Sequence, residues 1–212
     1  LSMRVTSVTA MPVAMPVAAP LYAGAGAGSS VEWGGRRSRI TPKRPSPVIE
    51  YVVVRIDTDE GISGVGEAQA DIGFFGETVE QVRIAVEDYL GPQLVGRDPF
   101  QHEHLMELID YRGNSCAKSG IDMALLDLRG RSLGVSVASL IGGAHRDTVR
   151  VAIEIPGGPP EMMAARCVEL MASGVRAFKA KIGGDPDRDS DRLRAIREAV
   201  GPHVSLRADA NQ

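Results

Sequence analysis

The sequence predicts an α+β domain followed by a parallel α/β segment, and two observations support this fold class. In the first half of the 212-residue chain, strand patterns precede a run of helical patterns. From residue 149 onwards, strand and helix patterns alternate with short connections, which predicts parallel strands joined by right-handed crossovers. An open doubly wound sheet and the beginning of a (β/α)8 barrel both satisfy this alternation.

Hydrophobic periodicity defines the elements of the first half. Residues 3–10 read as a strand, and the β-branched residues of 48–58 predict a stronger one. Residues 62–68 continue as its hairpin partner, after a turn. A loop rich in Gly, Ala and Pro separates the first two strands, over about residues 15–46. Apolar spacing predicts helices over residues 77–90, 99–109 and 119–134, the third with Ser119 as its N-cap.

The second half carries the alternating elements. Asp185 and Pro186 form a typical helix start, an acidic cap followed by proline in the first turn. The alternating acidic and basic residues of 185–194 predict a solvent-exposed helix face. Strand patterns occur over residues 149–155, 175–182 and 204–212.

Composition and charge exclude several function classes. The chain is 43% hydrophobic and 24% charged, as expected of a globular domain. Its net charge of −3 gives no general attraction to nucleic acid or to an anionic membrane. No apolar stretch has the length of a transmembrane helix. The two cysteines, Cys116 and Cys167, lie in apolar helical segments, which predicts reduced, packed thiols and a cytoplasmic protein.

Two lysines stand two positions apart in the strand pattern FKAKIG. Lys179 and Lys181 share one face of a strand because side chains alternate. The backbones of the two residues are roughly 6.6 Å apart. At a dielectric constant of about 20, two positive charges at that separation repel by about 2.5 kcal/mol. Repulsion of that size lowers a lysine pKa by nearly two units, which is enough to make it a general base. The alternative is that both ammonium groups extend into solvent at a strand end.

The third strand pattern, in RADANQ, adds a carboxylate. Arg207, Asp209 and Asn211 share one face, and the two alanines share the other. In parallel α/β folds, sites assemble at the carboxyl ends of the strands. Asp209 is therefore either a salt-bridge partner of the lysines or a ligand for a hard divalent cation such as Mg²⁺.

These motifs together resemble the enolase superfamily. FKAKIG and RADANQ, with 28 residues from Lys181 to Asp209, resemble its second and third barrel strands. EGISGVGEA resembles its hairpin, and SGIDMALLDLRGRSLGVSVASLIGG resembles the helical segment that joins its capping domain to its barrel. Lys-x-Lys followed by Asp-Ala-Asn-Gln is most similar to the muconate-lactonizing subgroup, with the mandelate-racemase group second. The resemblance implies an α+β capping domain over residues 3–133 and a (β/α)8 TIM-type barrel from residue 134, of which the first three strands lie within residues 134–212.

The resemblance implies metal-dependent abstraction of a proton α to a substrate carboxylate, through an enolate. Cycloisomerisation, racemisation or epimerisation is the expected reaction. Lys181 would be the base, and Lys179 would lower its pKa and help to neutralise the enolate. Asp209 would be the first of three carboxylate ligands for Mg²⁺, with Mn²⁺ as an alternative.

The resemblance also implies partners and missing parts. A capping loop at residues 15–30 would touch a small carboxylate substrate, so Tyr22 and Asn211 are expected substrate contacts. A homo-oligomer is expected. The other two metal carboxylates and an opposing acid/base would follow Gln212, so we expect the chain to be the N-terminal part of a longer protein and to be inactive alone.

Other functions stay open on the sequence alone. Dehydration of a sugar acid would use the same scaffold, and a lyase would use a barrel lysine to form a Schiff base. A non-catalytic fragment would bind partners through its exposed barrel edge.

Two further groups of polar residues are expected to be structural. His102 and His104 are spaced i, i+2 on a helix, which disfavours a shared metal site. Asp122 and Asp127 are expected to pair with arginines 129 or 131, or to cap neighbouring backbone.

Overall fold

The computed structural model describes residues 3–16, 32–33, 36–37, 48–72 and 75–210. The chain forms two compact units, one from residues 1–17 and 46–145 and the other from residues 18–45 and 146–212. The boundary predicted between residues 133 and 134 stays a prediction. In the part of the chain that the structure describes, no helix has both the length and the apolar character needed to span a bilayer.

The first unit is built on a three-stranded antiparallel sheet. Its strands are β1 (Val5–Pro16), β4 (Val48–Thr58) and β5 (Ser63–Gln69), in the order β1-β4-β5. This agrees with the predicted sheet of three strands. Two further strands, β2 (Glu32–Trp33) and β3 (Arg36–Arg37), pair with each other in an antiparallel hairpin.

Strand β1 is longer than predicted and runs through two prolines. It was expected to end at residue 10, but it pairs with β4 as far as Pro16 opposite Val48. The backbone N–H of Ala10 donates to the Glu87 carboxylate at 3.2 Å, so even-numbered residues turn their N–H groups away from β4. Pro12 and Pro16 are even-numbered, and therefore they remove no hydrogen bond from the ladder.

Helices cover one face of this sheet. Helix α1 begins with a reciprocal capping box, in which the Thr78 hydroxyl accepts from the Gln81 N–H and the Gln81 side chain accepts from the Thr78 N–H. It widens into a π-helical segment and ends in a 3₁₀ turn at a Gly-Pro pair. The helical segments of this unit are α1 (Val79–Ile84), its π continuation (Ala85–Leu90), the 3₁₀ turn (Gly91–Gln93), α2 (His102–Leu108), α3 (Ser115–Leu133) and α4 (Val137–Leu140).

Helix α3 begins four residues earlier than predicted, and Ser119 is not its cap. Asn114 occupies the N-cap position in the left-handed conformation, with φ 54°, and its side chain makes no capping hydrogen bond. The Glu77 carboxylate caps the helix instead, because its Oε1 accepts from the Cys116 N–H and the Ser115 hydroxyl, both at 3.0 Å. Glu77 is 8% exposed. A cap supplied from 38 residues away leaves no local signal in the sequence.

The same helix lies unusually close to β5. A Cβ atom at Gly64 would collide with the Ala124 carbonyl oxygen, and one at Gly66 would collide with the Gly120 carbonyl oxygen. Both obstacles are backbone atoms, so neither can rotate away. The two glycines of SGVGEA therefore set the distance at which α3 packs on the sheet.

A parallel three-stranded sheet organises the second unit. Its strands are β6 (Ile153–Ile155), β7 (Ala177–Lys181) and β8 (Ser205–Asp209), in the order β6-β7-β8. Helices α5 (Pro160–Ala172) and α6 (Pro186–Val200) make the crossovers. Asp185 caps α6 as predicted, accepting hydrogen bonds from the N–H groups of residues 187 and 188.

Strand β6 is shorter than the predicted strand of residues 149–155. Its pairing with β7 starts at Ile153 opposite Phe178. Val149 and Val151 are 75% and 73% exposed. Continuing the ladder backwards would bring residues 149–151 opposite residues 174–176, none of which is a strand residue, and Gly174 has a φ of 90°. The β-branched pattern alone overestimated the length of this strand.

Glycine packing against α3 yields the first prediction. Gly66→Ala should lower the free energy of unfolding by about 2 kcal/mol, because the new methyl group has no space. Gly184→Ala is the control, since a Cβ at Gly184 meets nothing within 4 Å, and it should change stability by less than about 0.5 kcal/mol. Urea unfolding followed by circular dichroism measures both. Equal stabilities for the two variants would contradict the packing argument.

The two thiols yield the second prediction. Cys116 and Cys167 are buried and free, as expected. Burial raises the pKa of each thiol to about 11, and for Cys116 the charge of Glu77 contributes as well. Both thiols are therefore neutral at pH 9, and the stability they contribute is lost as the pH rises from about 9 towards 11. Glu77→Gln should lower the pKa of Cys116, although burial keeps it above 9, and should leave Cys167 unchanged.

The measurement is the rate of iodoacetamide labelling against pH, with each cysteine peptide followed by mass spectrometry. Cys167 serves as the internal control within the same sample. If the Cys116 profile does not move in the Glu77→Gln variant, the charge of Glu77 has no influence on this thiol.

Candidate active site

Strand β7 separates an apolar face from a charged face. Phe178 and Ala180 are fully buried and pack, with β6 and β8, against the apolar faces of α5 and α6. Lys179 and Lys181 alternate with them and lie on the opposite face, with 36% and 17% of their side chains exposed. The helices are thus confined to one side of the sheet and the lysines to the other, as the alternation predicted.

The ladder places charged neighbours beside each lysine. Lys179 has Glu154 of β6 on one side and Arg207 of β8 on the other. Lys181, one level further along, has Asp209 of β8 beside it. All five residues point to the face that the helices do not cover. Residues two positions apart on one strand share a face, and so do direct ladder partners on neighbouring strands. The charged residues therefore form two rows near the carboxyl ends of the strands.

Four of these side chains contact one another and form what we call the lysine–carboxylate cluster: Glu154, Lys179, Lys181 and Asp209. The Nζ atom of Lys181 lies 2.8 Å from Asp209 Oδ2 and 3.3 Å from Glu154 Oε2. The Nζ atom of Lys179 lies 2.9 Å from the same Glu154 oxygen and 3.1 Å from the same Asp209 oxygen. Each lysine therefore has its shortest contact with the carboxylate beside it in the ladder, and a longer contact with the other.

The carboxylates change the electrostatics expected from the two lysines. Repulsion between the ammonium groups was predicted for a pair without other neighbours. Here each ammonium group contacts two carboxylates, which offset that repulsion. Hydrogen bonds first to Glu154 and then to Asp209 raise the pKa of Lys179 above its ordinary value.

Glu154 is the member of the cluster that sequence reasoning missed. It lies between two isoleucines in the predicted strand over residues 149–155, to which no site residue was assigned. The signal was present, since a glutamate that alternates with apolar residues next to a strand end points away from the core. Its half-exposed side chain and its contacts with both lysines follow from that placement.

A part-buried ion pair on helix α6 holds the loops that follow β6 and β7. The Asp189 carboxylate accepts from the Gly183 N–H at 2.9 Å and from Arg192 at 2.7 Å. Arg192 also donates to the carbonyl of Gly158 at 2.8 Å. Residues that follow β6 and β7 are thereby tied to helix α6. The expected solvent-exposed face over residues 185–194 is wrong at Asp189, which is 8% exposed, because the loop after β7 folds over it.

Other predicted residues lie apart from the cluster. His102 pairs with Asp122 at 2.8 Å, so Asp122 does not pair with an arginine as expected. Asp127 pairs with Arg131 at 2.8 Å, as expected, and also accepts from the Val65 N–H. Tyr22 and Asn211, the expected substrate contacts, lie outside the described residues, and so does most of the predicted capping loop over residues 15–30.

The described residues contain no group of three or more His, Cys, Asp or Glu side chains gathered as a metal site. Within the lysine–carboxylate cluster, two carboxylates supply oxygen atoms, which are the ligands that Mg²⁺ prefers. Magnesium is commonly held by one or two protein carboxylates together with water and substrate oxygens. The donors present are thus compatible with part of a magnesium site.

Comparison with known families agrees with this architecture. Residues 46–142 match the family described as mandelate racemase / muconate lactonizing enzyme, N-terminal domain. Residues 162–212, which contain Lys179, Lys181 and Asp209, match the enolase C-terminal domain-like family. The chain belongs to the enolase superfamily. The α+β capping domain and the opening of a TIM-type barrel predicted from the sequence are confirmed.

Related proteins of known activity cover most of this chain. An N-succinyl-L-Arg/Lys racemase from Bacillus cereus is 34% identical over 163 residues, covering 76% of this chain and 44% of the racemase. A chloromuconate cycloisomerase from Cupriavidus necator is 34% identical over 168 residues, covering 76% of this chain and 45% of that enzyme. The chain thus spans about half the length of these relatives.

Solved structures show the same partial coverage. The substrate-liganded L-Ala-D/L-Glu epimerase from Bacillus subtilis superposes with a TM-score of 0.81 at 27% identity, over 99% of this chain and 54% of the epimerase. A dipeptide epimerase from Cytophaga hutchinsonii, in complex with Mg and the dipeptide D-Ala-L-Val, superposes with a TM-score of 0.79 at 27% identity, over 99% of this chain and 52% of that chain.

The buried Asp189 yields the third prediction. Asp189→Ala should lower the free energy of unfolding by about 2–3 kcal/mol, because it removes the acceptor of the Arg192 Nη1 group and of the Gly183 N–H, both of which are part-buried. The matched control is Asp191→Ala on the same helix. Asp191 pairs with Arg194 at the same distance, 2.7 Å, but both side chains are at least 60% exposed.

The control should cost less than about 0.5 kcal/mol, since exposed pairs contribute little. Chemical unfolding of both variants at pH 7 makes the comparison. A loss at Asp191 as large as that at Asp189 would mean that burial does not decide the strength of this pair.

Proposed function

We propose that this chain contributes the capping domain and the first barrel strands of a metal-dependent isomerase. The reaction is abstraction of a proton α to a substrate carboxylate, through an enolate intermediate. Cycloisomerisation, racemisation and epimerisation all share this step. The substrate is a small carboxylate.

One observation carries the proposal. Lys179, Lys181 and Asp209 converge on one face of two neighbouring parallel strands, with each Nζ atom within 3.1 Å of Asp209 Oδ2. Convergence of this kind brings a possible base, an ammonium group and a carboxylate oxygen that can bind a metal within the reach of one small substrate. Membership of the enolase superfamily supports this interpretation over a solvent-exposed pair of lysines.

The oxygen donors present fit part of a magnesium site whose remaining ligands would come from groups outside this cluster. Asp209 would hold it through a carboxylate oxygen, and Mn²⁺ is a chemical alternative because it prefers the same ligands. The dipeptide epimerase from Cytophaga hutchinsonii, which shares this fold, was solved with Mg. When bound, the ion supplies electrostatic stabilisation of the substrate carboxylate as negative charge develops on it.

The two lysines take different parts in the reaction. Lys181 is the less exposed of the two; in its neutral amine form it accepts the α-proton at its Nζ atom and becomes an ammonium group. Lys179 stays a cation beside it and stabilises the developing negative charge. Phe178 and Ala180, buried on the other face, hold both side chains in place because the strand can neither twist nor slip without exposing them.

The names of the relatives favour isomerisation over dehydration. The proteins described above are a racemase, two epimerases and a cycloisomerase, and none of these four is named a dehydratase. Their names also suggest probes, namely an N-succinylated amino acid and an Ala-Glu dipeptide. We propose such N-acylated amino acids and dipeptides as the first carboxylates to test.

The fourth prediction tests Lys181 as the base. Lys181→Ala should slow exchange of the substrate α-proton with deuterium by at least about 100-fold, because a general base is lost. The measurement is proton NMR of N-succinyl-L-arginine and of L-Ala-L-Glu in D₂O, with the full-length protein and Mg²⁺. Calorimetry should show that Mg²⁺ still binds to the variant.

The control is Lys118→Ala, which removes a lysine of similar exposure that pairs with Asp110 in the first unit. This variant should exchange at the parent rate. Exchange that continues unchanged in Lys181→Ala would refute the assignment of Lys181 as base. If the parent protein exchanges neither probe, other carboxylates must be tried before the reaction type is abandoned.

A further inference from the structure

We propose that Glu154 is a positioning residue that holds the Lys179 ammonium group and so leaves Asp209 available to a divalent cation. Glu154 and Lys179 are direct partners in the β6–β7 ladder, and their charged atoms are 2.9 Å apart. The proposal rests on the proposed function, because it takes Asp209 as a metal ligand. It assigns a role to the first strand of the parallel sheet.

The neighbours of Lys179 explain why a holding residue is needed. Its ladder partner on the β8 side is Arg207, which carries the same charge. Its partner on the β6 side is Glu154. Repulsion from one side and attraction from the other direct the ammonium group towards β6. Without Glu154, the nearest described carboxylate for this ammonium group is Asp209.

The ammonium groups and a divalent cation would compete for the carboxylate of Asp209. The same oxygen, Oδ2, is 2.8 Å from Lys181 and 3.1 Å from Lys179. A cation that binds there must compete with both ammonium groups. The contact with Glu154 is the shorter of the two for Lys179, so this lysine already has a partner when Asp209 becomes engaged.

A double-mutant cycle on metal affinity tests the proposal without any need for turnover. The full-length protein is compared with Glu154→Ala, Glu154→Asp, Lys179→Met and the Glu154→Ala/Lys179→Met double variant. The probe is Mn²⁺ alone, titrated by calorimetry. Glu161→Ala is the control, since Glu161 is an exposed acid on helix α5 of the same unit.

The positioning role predicts three results, and the control adds a fourth. Glu154→Ala should weaken Mn²⁺ binding by about tenfold, in the range of coupling between contacting residues. Glu154→Asp should weaken it nearly as much, because it keeps the charge but shortens the side chain. In the Lys179→Met background, Glu154→Ala should weaken binding less than about twofold, because the lysine it holds is absent. Glu161→Ala should bind like the parent protein.

Four outcomes overturn the inference, and one separates it from the proposed function. An equal loss in both backgrounds would mean that Glu154 acts by its charge alone. Parent-like affinity in Glu154→Asp would mean the same, and parent-like affinity in Glu154→Ala would remove any role. If the parent protein binds Mn²⁺ with the expected coupling but exchanges the α-proton of neither probe nor of further carboxylates, the proposed function fails and the role of Glu154 in metal binding stands. If it binds no divalent cation, the inference falls together with the metal assignment of Asp209.

Discussion

The alternation of side chains along β7 is the constraint on which the second unit depends. Complete burial of Phe178 and Ala180 against the helices fixes which face of the strand is inside. A one-residue slip would move both lysines into the apolar core and both apolar residues out of it. The cost of burying two charged amines is far greater than any gain from a different register. Hydrophobic packing on one face thus determines where the lysine–carboxylate cluster lies on the other face.

The parallel ladder then determines which residues meet. Its register sets Glu154 beside Lys179 and Lys181 beside Asp209, although these residues come from three separate segments of the chain. Strand periodicity made the face shared by the two lysines predictable, and the position of Asp209 at the end of the next strand predicted its approach. The full set of contacts required the register, which depends on where β6 begins. The sequence pattern placed that start four residues too early, at residue 149.

The features that sequence reasoning missed have a common physical cause. Glu77 caps a helix that begins 38 residues later, and Asp189 is buried by a loop that folds back over its own helix. Neither arrangement changes the local pattern of apolar and polar residues, which is what helix and strand prediction uses. An acidic residue in a charged helical run looks the same whether solvent or a backbone N–H group faces it. The order and type of the main strands and helices, and the lysine pair, were therefore predictable, whereas several element ends and the tertiary capping were not.

The balance of charge on the exposed face gives a physical reason for the proposed cation beside the two lysines. Two carboxylates there oppose two lysines and Arg207, so these five charged residues carry a net charge of only +1. A nearly neutral surface attracts an anionic substrate only weakly. A dication held by Asp209 would raise the positive charge at the strand ends, where the proposed substrate carboxylate would bind. Carboxylates that pair with the lysines would then keep these amines in place until cation and substrate are both present, and this is the arrangement that Glu154 completes.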